Sequence, residues 1–77
     1  MKYTKSYIDM CKKLGKKIQT MREDKQITID EFAKITGLRK EYIKKIENGE
    51  AYGLTINKHL LKIRLALKVK FTDLFNF

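Results

Sequence analysis

Apolar side chains return at three- and four-residue steps along most of the chain, and no stretch shows clean period-two alternation. That periodicity predicts an all-α fold. In the first third, Ile8, Cys11, Leu14, Ile18 and Met21 form one stripe, predicting a helix from residue 3 or 6 to residue 24. Lys12, Lys13, Lys16 and Lys17 lie off that stripe. Gly15 sits mid-helix, where it costs up to about 1 kcal/mol against alanine. A close helix–helix contact would account for it.

Thr28-Ile29-Asp30-Glu31 fits a capping box, in which the Thr28 and Glu31 side chains satisfy free backbone donors. Ile27 and Phe32 flank it as a hydrophobic staple, and Gly37 supplies a left-handed stop. A third helix follows within two or three residues and runs to about Asn48-Gly49, again a glycine stop. Two short helices joined by so tight a turn are a helix-turn-helix, with Ala33 small where it faces the turn. Residues 50–54 read as a loop. Thr55 or Asn57 caps a fourth helix reaching Leu67, with Leu60, Ile63 and Leu67 inward, flanked by Ile56 and Leu61. A last helical turn covers residues 72–75.

Length and charge narrow this picture. Seventy-seven residues make one domain, with residues 1–7 as an N-terminal arm, 28–48 as the helix-turn-helix and 69–77 as a C-terminal dimerisation segment. Eighteen Lys and Arg against 9 Asp and Glu give a formal charge of +9, which favours phosphate-bearing partners. With one cysteine and one histidine, neither an internal disulfide nor a Cys/His metal site is expected, and no cofactor is implied. Residues 1–8 are polar and basic, unlike a signal peptide, and no apolar run nears the ~20 residues that span a bilayer. A cytoplasmic location with no membrane contact follows.

On a helical wheel the third helix gathers Tyr42, Ile43 and Ile46 on one side and Lys40, Glu41, Lys44, Lys45 and Asn48 on the other. Each polar group on that second side has a use in a major groove. Lysine donates to guanine or phosphate, glutamate accepts from cytosine, and asparagine pairs with adenine or positions on backbone.

In this arrangement the chain resembles the lambda-repressor/Cro-like (XRE) helix-turn-helix family. The resemblance is carried by Leu14-Gly15-Lys16-Lys17-Ile18 with Arg22, by Thr28 to Ala33, by Gly37-Leu38, by Ile43 to Gly49, and by Leu60 to Ile63 through Ala66-Leu67 to Leu74-Phe75. It implies a fold of five short helices with the third in the major groove. It further implies base contacts from Lys40, Glu41 and Lys45, with Lys44 at a base or phosphate. Phosphate or positioning roles fall to Thr28, Arg39, Tyr42 and Asn48. An ion pair between Arg22 and Glu47 is implied as well. Three departures stand out: Ile29 where the family often has glutamine, Arg39 as a poor cap of the third helix, and a loop through Ala51-Tyr52-Gly53 about two residues longer. The short chain and the Tyr42-Ile43 pair are similar to restriction-modification controllers, and small antitoxins and phage or mobile-element repressors share the same features.

The function expected is a sequence-specific regulator of transcription, a repressor, binding double-stranded DNA at a palindromic operator as a homodimer. One helix-turn-helix reads few base pairs, and two-fold dimers read half-sites about 34 Å apart. Phe71, Leu74, Phe75 and Phe77 are the candidate interface; the alternative is that Phe71 and Leu74 complete the core. A rival function is an antitoxin, with a toxin as main partner and DNA binding as autoregulation. An enzyme is not expected. Asp30 and Glu31 suit a helix N-terminus without catalysis, His59 has no companion Cys or carboxylate, and Cys11 lies on the apolar stripe. A membrane-surface peptide fits the basic first helix but not the two glycine stops.

Overall fold

The computed structural model describes residues 3–52 and 56–77. Helix α1 spans Lys5–Asp24, α2 Ile29–Thr36, α3 Lys40–Glu47, α4 Leu61–Leu67 and α5 Phe71–Leu74. A π-helical turn, Ile56–Leu60, leads directly into α4. No strand occurs among the described residues.

Helix α1 begins where Thr4 accepts the Tyr7 amide at 3.1 Å. Residues 5–7 of the expected N-terminal arm are therefore its first turn, because a threonine cap outcompetes an extended tail. Its inward stripe buries Cys11, Leu14, Ile18 and Arg22, together with Gly15. A Cβ on Gly15 would collide with the Ile46 carbonyl oxygen and lie 2.9 Å from that of Glu47. The mid-helix glycine thus lets α1 and the end of α3 meet backbone to backbone. Gly49 is held as tightly: its φ is +76°, and a Cβ there would fall 2.7 Å from the Lys12 Cα.

Helix α2 starts on the full capping box. Glu31 N–H donates to Thr28 Oγ1 at 3.1 Å, and Thr28 N–H donates to Glu31 Oε1 at 2.8 Å. It stops at Gly37, φ +76°, whose amide returns to the Ala33 carbonyl. Buried Thr36 then locks the turn into α3. Its hydroxyl donates to the Phe32 carbonyl at 2.7 Å and accepts the Leu38 amide at 3.2 Å.

The core is one cluster: Leu14, Ile18, Phe32, Ile43, Ile46, Leu60, Ile63, Leu67 and Leu74. Helix α5 begins at Phe71, one residue earlier than the pattern suggests, because the Asp73 carboxylate accepts the Lys70 amide at 3.0 Å. Arg64 binds the Val69 carbonyl at 3.1 Å and stands 5.2 Å from the centre of the Phe71 ring, closing α4 onto α5. The fourth helix differs from the uniform α-helix expected, since its first five residues form the wider π-turn. Thr55, one expected cap, and the far end of the loop over 50–54 lie outside the described residues.

Candidate nucleic-acid interface

A buried bidentate pair joins α1 to the end of α3. Arg22 Nε donates to Glu47 Oε2 at 2.8 Å and its second nitrogen to Oε1 at 3.2 Å. The remaining terminal nitrogen donates to the Ile27 carbonyl at 2.6 Å, so α1, the α1–α2 loop and α3 share one guanidinium. The Glu47 hydrogen bond raises the Arg22 pKa further, against the opposing pull of burial. Both residues are buried, each 6% exposed. Fork-to-carboxylate geometry of this kind fixes orientation as well as charge.

With Ile43, Ile46 and Glu47 facing inward, the opposite side of α3 is left to solvent. Lys40, Glu41, Lys44, Lys45 and Asn48 are all exposed there. The five polar groups named from the wheel therefore share one accessible face.

Several of them have partners. Lys40 Nζ lies 2.9 Å from Asp30 Oδ1, across the turn between α2 and α3. That hydrogen bond lowers the Asp30 pKa and raises that of Lys40. Thr28 is exposed, but its amide and its hydroxyl acceptor are used by the capping box, leaving the hydroxyl proton for a phosphate. Arg39 caps α3 without a side-chain hydrogen bond, as its chemistry leads one to expect. It lines two shallow depressions beside Tyr42, one shared with Gly37, Leu38 and His59 and the other with Glu41 and Lys45. The Tyr42 hydroxyl sits 2.9 Å from His59 Nδ1, with the rings edge to face at 5.1 Å. Partial burial raises the Tyr42 pKa.

Asp30 and His59 make contacts that the sequence pattern does not announce. His59 has no companion Cys or carboxylate in the sequence, yet it stands against Tyr42 at the edge of the recognition face. Seventeen residues separate the two, and no local pattern signals the contact. The sequence pattern marks Asp30 only as a favourable charge at a helix N-terminus. Its position in the first turn of α2, opposite the first residue of α3 across a tight turn, is the sequence signal of that contact.

The expected dimer surface needs correction. Leu74 is fully buried in the core of its own chain and offers nothing to a partner. Phe71 and Phe75 are half-buried and packed on that core, because α5 closes over its open end. Of the four, only Phe77 is largely exposed, at 52%. On α4, Leu61 and Leu65 are exposed at 37% and 56%, one helical turn apart on the outer side.

Among the described residues no cluster of potential ligands could hold a metal, and no helix is long and apolar enough to cross a membrane. A tight two-helix unit, braced from behind and presenting a basic outer face on its second helix, defines a helix-turn-helix DNA-binding domain. Residues 17–77 match the model of the Cro/C1-type HTH DNA-binding domain, and the chain belongs to that family. Among solved structures it is similar to the restriction-modification controller protein C.AhdI from Aeromonas hydrophila. The two are 26% identical over 90% of this chain and 100% of that one, with a TM-score of 0.77. It is equally similar to an HTH_3 family transcriptional regulator from Vibrio cholerae, at 26% identity and a TM-score of 0.80. That match covers 88% of this chain but only 37% of the larger regulator. No curated protein sequence matches the chain significantly.

Proposed function

We propose that the chain is a repressor that acts in the cytoplasm and binds a palindromic operator in double-stranded DNA as a homodimer. The observation that carries this reading is the outer face of α3. It holds three lysines, one glutamate and one asparagine on a helix whose other side is anchored by the Arg22–Glu47 pair. Lys40, Glu41, Lys44 and Lys45 read base edges in the major groove. Arg39, Thr28 and Asn48 hold phosphate or position the helix, and Tyr42 sets its edge against His59. Likeness to a restriction-modification controller, over 90% of this chain, supports a regulator of this kind.

Lys40 carries a condition. Its ammonium must leave Asp30 to reach a base, and an exposed, solvent-screened pair of this kind holds it only weakly. The exchange is therefore open to a guanine or a phosphate. The exposed Leu61 and Leu65, one turn apart on α4, replace the C-terminal cluster as candidate dimer contacts, since apolar groups grouped on one surface mark interfaces.

The test is selection of bound fragments from a random duplex pool. The expected product is one motif in two inverted halves about one helical turn apart. A pool with no enriched motif would refute sequence-specific regulation. An enriched motif without inverted symmetry would refute the palindrome and with it the two-fold dimer.

A further inference from the structure

A second basic surface lies on α1. The buried stripe of α1 packs against the inner side of α3, with Gly15 on the Ile46 and Glu47 carbonyls. The recognition residues occupy the outer side of α3. Lys12 meets Gly49 at the end of α3, while Lys13, Lys16 and Thr20 lie farther round α1 on its exposed face, and so farther from a duplex held by α3. This placement rests on α3 being the recognition helix.

On that free face Lys12, Lys13, Lys16, Lys17, Thr20 and Phe77 line an open depression of about 370 Å³. No acidic residue lines it. None of the four lysines has a carboxylate within ion-pair distance among the described residues, whereas Lys40 on the recognition helix does. The floor is apolar, built from lysine stems and the exposed Phe77 ring, with ammonium groups at the rim. Four like charges held along consecutive turns repel one another, and this arrangement gains most when an anionic partner covers it.

We propose that this face of α1 is a docking surface for an acidic protein segment that presents an apolar side chain. Charge complementarity selects an acidic partner, and the apolar floor selects a peptide over a phosphate backbone. Phosphates would meet the rim lysines and leave the Phe77 ring uncovered. An amphipathic acidic helix fills both: carboxylates reach the ammonium groups while a leucine or phenylalanine lies on Phe77 and the lysine stems.

The experiment uses the full chain, free and bound to its selected operator. The probe is a labelled helical peptide with glutamate on its polar face and leucine and phenylalanine on its apolar face. Fluorescence anisotropy at low salt is expected to show equal binding to both forms. Lys13→Glu with Lys17→Glu should weaken the peptide about tenfold or more, and Phe77→Ala several-fold, with operator affinity unchanged within about twofold. Lys13→Gln with Lys17→Gln should give an intermediate loss and guards against misfolding of the charge reversal. Displacement of the peptide by operator would overturn the proposal, as would wild-type binding by the variants. So would equal affinity for a peptide whose leucine and phenylalanine are replaced by serine, or preferential capture of a second duplex by this face. Operator recognition that persists while the peptide fails rejects the docking surface alone. Loss of the α3 reading shows instead as operator preference that survives substitution of Lys45.

Discussion

Glu47 is the residue on which the recognition helix turns. It is buried, bound twice by Arg22, and inseparable from the Ile27 carbonyl that the same guanidinium holds. Removing the carboxylate strands a buried cation, which costs about 3–5 kcal/mol. Glu47→Ala should lower stability by that amount in urea denaturation, and a loss below about 1 kcal/mol, the worth of an exposed pair, would mean that the pair is dispensable. Gly15 makes a sharper demand. Alanine elsewhere in a helix stabilises by up to about 1 kcal/mol relative to glycine. Here its Cβ meets backbone that cannot rotate away, so Gly15→Ala should destabilise by about 1–3 kcal/mol despite the better propensity. A neutral or stabilising effect would show that α1 and α3 are not in close contact. The exposed Asp30–Lys40 pair acts through pH. Because the folded Asp30 pKa is lowered from its ordinary 3.8, the pair's contribution is present above that value and is lost as pH falls through the lower folded value. Titration of the Asp30 carboxyl by NMR should find it below 3.8 in the wild type and restored upward in Lys40→Ala.

At the scale of elements, the helix-turn-helix was legible because its signals are local. The capping box at Thr28, the staple of Ile27 and Phe32, and the stop at Gly37 each lie within five residues of their partners. Apolar periodicity then told which side of α3 faces inward. The buried Thr36 hydroxyl that fastens the turn has no such signature, since threonine at a helix end reads only as a weak helix former. The π-turn before α4 was equally invisible. Leu60 and Ile63 fall inward whether that turn is α or π, so the stripe does not distinguish them. The wider turn accompanies the placing of His59 against Tyr42, and local departures of this sort often sit at functional sites. Tyr42→Phe should thus loosen the edge of α3 without unfolding it. Its operator affinity should fall by about 0.5–1.5 kcal/mol, the worth of one hydrogen bond, with base preference intact. A shift in base preference instead would place Tyr42 in the groove itself.

For the whole molecule, assembly was the least legible property. Four large apolar residues near the C-terminus looked like a surface patch, but in three dimensions Leu74 completes the core and Phe71 lies beneath Arg64. Composition records how much apolar surface a segment carries, and only packing decides how much stays exposed. The outer side of α4 is where exposed leucines remain. Leu65→Glu should therefore shift the chain toward monomer in sedimentation and remove cooperative operator binding, while leaving its helical content unchanged. Wild-type self-association in that variant would place the interface elsewhere. The central claim, that α3 reads base sequence, is tested most directly by titrating the selected operator and its single base-pair variants with wild type and Lys45→Ala. The account predicts that wild type loses about 1–3 kcal/mol at each contacted pair, and that Lys45→Ala loses discrimination at one pair in each half-site while keeping the rest. Uniform weakening across every sequence, with discrimination untouched, would contradict it.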